Sequence, residues 1–150
     1  MPYIKRSRIV LVGGDTMFTL RWFYQLHTYL IATGVITLFA ALYIIRYKKD
    51  KPWRVKRHKF LTLVAISLIL IGILTMFIGK QSIGLPHFTV PHAFGGITAL
   101  TLMIIAPILA TIGMKGNKKA MNLHRWVGRI AGITVFIVSI IGTTIILSYL

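Results

Sequence analysis

Four stretches of this chain contain neither an acid nor a strong base and reach the roughly 20 residues that a bilayer requires. They are Trp22–Ile45, Phe60–Gly79, about Pro91–Gly113 and Ile130–Leu150. A hydrophobic fraction of 56% and a mean hydropathy of +0.78 over 150 residues are too apolar for a soluble domain of one-domain length. The expected fold class is all-α: a transmembrane four-helix bundle. The opening segment, MPYIKRSRIVLVGG, is basic, but its apolar part covers only Ile9–Val12, too short for a signal-peptide core. Residues 1–21 are therefore expected as an exposed basic arm on the membrane or a partner, and residues 22–150 as the transmembrane domain.

A net charge of +16 raises nucleic-acid binding, but its distribution argues against that partner. Thirteen of the eighteen Lys and Arg residues fall in Arg46–Lys59 and Lys115–Arg129, the connections between spans one and two and between spans three and four. Basic loops stay on the cytoplasmic side and meet anionic lipid headgroups there. The expectation is thus an integral protein of the cell (plasma) membrane with four spans, both chain ends outside, and no nucleic acid.

There is no cysteine, which excludes disulfides, iron–sulfur ligation by this chain and covalent attachment of a c-type haem. The only acids, Asp15 and Asp50, lie outside the spans. An ion or proton pump normally needs an ionisable relay inside the membrane, and histidine is the one residue type available for it.

Each span carries one histidine near its beginning: His27, His58, His92 and His124, separated by 31, 34 and 32 residues. Alternating spans place His27 and His92 in the outer half and His58 and His124 in the inner half. Two opposed pairs result. Two turns further along each helix stand Gly34, Ala65, Ala99 and Ala131, and two turns beyond those Ala41, Gly72, Ala106 and Val138. Fourteen residues rise roughly 21 Å, so Ala41 and Ala106 come level with the inner histidines. Gly72, with Gly142, comes level with the outer ones. Small residues there offer clearance for something flat and wide. A lone interfacial histidine is ordinarily a polar anchor, and a Gly/Ala stripe is ordinarily a helix-packing surface. Neither predicts opposed pairs with small residues in register.

Two imidazoles from facing helices suit haem iron, whereas zinc takes three or four ligands and finds no carboxylate or thiol here. The expected cofactors are two non-covalent haem b groups with His27, His92, His58 and His124 as metal ligands. Bis-imidazole ligation leaves no open position for oxygen, so the chemistry is one-electron transfer and no catalytic residue is assigned. His87, in LPHFTVPH, rivals His92 but precedes Pro91 and has Phe94 two turns on, so it is assigned to the loop. Haem propionates need basic partners at the interface. Arg57, Lys59, Arg125 and Arg129 are the inner candidates, and Arg21 and Lys80, with Tyr24, the outer ones.

LHTYLIATGVITLFAALYIIRYKK, RHKFLTLVAISLILIGILTMFIG, PHAFGGITALTLMIIAPI and KKAMNLHRWVGRIAGITVFIVSIIG, in that order and spacing, resemble the four core helices of the cytochrome b561 family. The resemblance spans about Gln25 to Leu147. It implies that the first and third helices ligate one haem through His27 and His92, and the second and fourth the other through His58 and His124. The chain lacks the two flanking spans of most eukaryotic members and the soluble domain fused to some relatives. It resembles a small prokaryotic or archaeal subunit that exchanges electrons with a quinol or a partner redox protein, and the resemblance leaves the donor open between quinol and ascorbate types. Members are often dimers, which implies a homodimer or a larger complex. The competing expectation is a haem-free structural or assembly subunit whose histidines anchor helix interfaces.

Overall fold

A computed structural model describes residues 14–82, 84 and 91–147. Among these residues the chain is four helices: α1 (Gly14–Tyr47), α2 (Arg54–Ser82), α3 (Pro91–Met114) and α4 (Lys118–Leu147). All four are long and apolar enough to cross a membrane, with spans of 27, 29, 24 and 28 residues. In hydrocarbon the backbone must satisfy its own hydrogen bonds, and a continuous helix does so. Hydroxyl groups follow the same rule. Thr28, Thr37, Thr98, Thr101, Thr134 and Thr143 are exposed or half-buried, and each donates to the carbonyl one turn earlier on its own helix. Large apolar side chains such as Ile36, Phe60, Leu63 and Ile133 face outward, as a lipid-bathed surface requires.

The helices outrun the apolar stretches at their amino ends. α1 begins at Gly14, α2 at Arg54 and α4 at Lys118. Lys and Arg are good helix formers with charged ends that reach water while their stems lie along apolar surface, so charge does not stop a helix at the headgroups. Of the expected arm, residues 1–21, the structure describes residues 14–21. Residues 14–21 continue α1, and residues 1–13 lie outside the described residues, as do His87 and most of the connection before α3.

Turn chemistry folds α3 back onto α4 within three residues. Gly116 adopts φ 101°, a left-handed conformation that stops α3 and favours glycine. Asn117 then caps α4 by accepting a hydrogen bond from the Ala120 N–H at 3.0 Å. α1 and α2 form the matching hairpin. Helices pack extensively within each hairpin and meet sparingly between hairpins. A core of Leu38, Ala65, Ile69, Ala99, Met103, Ala131 and Val135 joins the two at mid-height. The edge-to-face rings of Phe39 and Phe136, 5.9 Å apart, join α1 to α4.

Candidate functional site

Each histidine leans across its own hairpin onto the neighbouring helix. In the first hairpin, His27 Nδ1 lies 2.8 Å from the Gly72 carbonyl, and His58 Nδ1 lies 3.0 Å from the Ala41 carbonyl. In the second, His124 Nδ1 lies 2.8 Å from the Ala106 carbonyl. A carbonyl can only accept, so Nδ1 must carry the proton. A neutral imidazole then has its lone pair on Nε2. Among the described residues no hydrogen-bond partner takes Nε2 of these three histidines. The fold therefore fixes both tautomer and direction and leaves a free donor nitrogen on each ring.

The acceptors are fourteen residues beyond the histidine of their own helix: Gly72 after His58, Ala41 after His27, Ala106 after His92. Here the register seen in the sequence has a physical cause. An imidazole reaches a backbone carbonyl on an adjacent helix only where the side chain between them is small. Ala41 is 0% exposed and Ala106 7%. A Cβ on Gly72 would lie 3.0 Å from Ile31 Cδ1, so no space is left beside it. The fourth case is built differently. His92 is near the Val138 carbonyl, but its buried Nδ1 has no hydrogen bond of adequate geometry. Its ring is seated on Gly142, where a Cβ would stand 2.5 Å from the His92 Cε1.

His27 and His92 are close enough to interact electrostatically, and so are His58 and His124. His27 and His92 both line a cavity of about 800 Å³ that all four helices border. Pockets for sizeable ligands run to about 300–1,000 Å³. Its walls are otherwise largely apolar, including Ile31, Ile73, Phe136 and Val138, with Lys80 on the border as its cation. Gly96, one turn below His92, opens onto it with nothing within 4 Å of a notional Cβ. Among the described residues no three of His, Cys, Asp and Glu come together as a metal-ion nest.

The small residues two turns after each histidine take part in helix packing. A Cβ on Gly34 would lie 2.7 Å from Ile69 Cγ1 and 3.2 Å from the Ala65 carbonyl, so Gly34 serves close packing of α1 on α2. Ala65 and Ala131 belong to the mid-height core. Ala99 also belongs to it and, of the four, is the one that borders this cavity.

The basic candidates divide as well. Arg57 stacks over Trp53 at 4.2 Å, Arg129 lies over Trp126 at 5.3 Å, and Arg125 donates to Asn122 Oδ1 at 3.4 Å. All three rest along their own helix or, for Arg57, on the turn just before it, and Lys59 is exposed. Lys80 alone among the basic candidates borders the cavity, beside Tyr24. Sequence reasoning missed Thr62, whose buried hydroxyl, one turn after His58, has no partner. Nothing in its spacing separates it from the threonines that bond back to their own helix.

The family model described as a protein of unknown function (DUF998) matches residues 13–149, and the chain belongs to that family. No curated protein and no solved structure matches the chain.

Proposed function

We propose that this protein carries electrons across a membrane through two non-covalent b-type haems, in the manner of the cytochrome b561 core that the sequence resembles. His27 with His92 would hold one near the outer face, and His58 with His124 the other near the inner face. The observation that carries the reading is the Nδ1–H to carbonyl bond at His27, His58 and His124. Metal-ligating histidines characteristically donate their other ring N–H to a carbonyl or carboxylate, which fixes the ring and raises its basicity. Helix packing alone has no need to leave Nε2 without a hydrogen-bond partner on all three rings.

The residues present fit such a group. His27 and His92 share one largely apolar cavity of about 800 Å³, and Lys80 at its border can meet an anionic propionate. A haem held by His27 and His92 would supply one-electron transfer there. The chain's own part is to aim Nε2 through the carbonyl bonds and to keep water out with Ile31, Ile73 and Phe136. The two histidine levels of each hairpin lie roughly 21 Å apart by helix rise, which suits relay from one face to the other. The donor and acceptor belong to the class of quinols or partner redox proteins. The basic connections favour a cytoplasmic position for the His58–His124 end.

The same bonds support a second reading, a haem-free assembly subunit. Histidine-to-backbone bonds across helices also hold membrane helices together, at about 0.6 kcal/mol each on average. An absorption spectrum of the protein purified from haem-replete membranes separates the two. Sharp, reducible bis-imidazole b-haem bands support electron transfer, and a colourless, folded protein supports the assembly role.

A further inference from the structure

Two contacts set the register of the seam between α1 and α4. The rings of Phe39 and Phe136 meet edge to face at 5.9 Å, and Leu42 Cδ1 would lie 3.4 Å from a Cβ on Gly132. From Phe39 to Leu42 the numbering rises while from Phe136 to Gly132 it falls, so the two helices are antiparallel. Arg46 is seven residues beyond Phe39, and Arg129 is seven before Phe136. Seven residues are close to two turns, a rise of roughly 10 Å. Both arginines therefore stand at one level, on the helix faces that turn toward each other. Arg125, one turn before Arg129, shares its face of α4.

Three cations thus converge at the mouth of one seam, and all three are exposed. Like charges that face each other repel unless an anion stands between them. Asp50, the one acid at this end, is held by Lys51 at 3.3 Å. Aromatic residues mark the same level as a membrane–water interface. Tyr43 and Tyr47 on α1 have ring centroids 5.1 Å apart, and Trp126 on α4 lies under the Arg129 guanidinium at 5.3 Å. Deeper along the seam stand exposed apolar side chains, Phe39, Ile133 and Phe136.

We propose that this seam is a binding site for one anionic phospholipid. Its phosphate sits among Arg46, Arg129 and Arg125, and an acyl chain lies along Phe39, Ile133 and Phe136. A guanidinium matches phosphate in bidentate geometry, and an apolar run at membrane depth suits an acyl chain, not an acidic protein. The site differs from the general attraction of basic loops for anionic headgroups, because it needs these arginines and not their neighbours. It does not depend on haem.

The test uses the full chain with Trp22→Phe and Trp53→Phe, which leave Trp126 as the one tryptophan. Phosphatidylglycerol brominated near the headgroup end of its chains is added in rising fractions to phosphatidylcholine vesicles holding the protein. The expected result is saturable quenching of Trp126 at low phosphatidylglycerol fractions, and much weaker quenching by phosphatidylcholine brominated at the same place. Arg46→Gln and Arg129→Gln should each weaken this preference roughly tenfold or more, the scale of a hydrogen bond to a charged group. Arg46→Lys, which keeps the charge, should restore part of it. Lys56→Gln removes an equal charge on α2 and should leave the preference nearly unchanged. Equal losses in Arg46→Gln and Lys56→Gln would reduce the effect to surface charge and overturn the site. Phosphatidylglycerol that quenches no better than phosphatidylcholine would overturn it too, and leave the three arginines to an acidic protein partner.

Discussion

The Nδ1 of His124 lies 2.8 Å from the carbonyl oxygen of Ala106 on the adjacent helix. The bond orients one ring and depends on a residue that contributes only its smallness. His58 makes the equivalent bond to Ala41 at 3.0 Å in the other hairpin. The two together define the inner end.

Ala106→Leu and Ala41→Leu should therefore push the hairpin helices apart at the histidine. Overpacking costs about 1–3 kcal/mol, and loss of the bond adds about 1 kcal/mol. The expected outcome is inserted protein whose inner b-haem band is lost or strongly weakened while the outer band persists. Ala40→Leu, one position away but exposed, should leave both bands intact. An unaffected inner band in both buried variants would mean that the carbonyl bonds do not organise that site.

Gly142→Leu addresses the other end. Its Cβ alone would stand 2.5 Å from the His92 ring, so the outer haem should be lost and the inner one kept. His92→Ala should give the same spectrum, and His124→Ala the complementary one. If Gly142→Leu removed the inner band instead, the pairing of His27 with His92 would be wrong.

The register of histidines against small residues was legible in the sequence because it follows from helix rise and alternating direction. What Gly34, Ala65 and Ala131 do was not. A stripe of small residues reads the same whether it clears space for a ligand or lets a helix approach, and only the partner across the gap decides. At Gly34 that partner is Ile69. At Ala41 and Ala106 it is an imidazole reaching a carbonyl, a contact between residues 17 and 18 positions apart that periodicity on one helix cannot reveal. The long amino end of α1 was hidden for another reason. Hydropathy marks the hydrocarbon boundary, whereas a helix continues into the headgroups wherever propensity permits. The exception at Val138 stood in plain view as the one large residue among eight small-residue positions. That its side chain fills the gap left by Gly95 on α3 did not show there.

Lys80 is the first base to neutralise. It borders the cavity that holds His27 and His92, where a cation favours an added electron. Lys80→Gln should lower the midpoint potential of the outer haem by roughly 30–60 mV, a three- to tenfold change for one electron, and leave the inner haem unchanged. Arg57 and Arg129 rest on Trp53 and Trp126, so Arg57→Gln and Arg129→Gln should shift the inner potential less than Lys80→Gln shifts the outer. Spectroelectrochemical titration of the three variants checks the order, and an unchanged outer potential in Lys80→Gln would exclude this lysine as a haem partner.

Topology can be read cleanly because the chain has no cysteine. A membrane-impermeant maleimide should label Gly84→Cys on intact cells, and label Lys49→Cys and Lys118→Cys only after the membrane is opened. The reverse pattern would place the His58–His124 end outside and invert the assignment of the two sites.

The most direct test of the central claim is pyridine haemochrome quantitation against protein mass on the purified chain, read together with its reduced-minus-oxidised spectrum. Two b haems per chain, both with bis-imidazole spectra, are predicted. A reproducible ratio near one haem per chain would contradict the two-site arrangement, and a folded protein that takes up no haem would contradict electron transfer altogether.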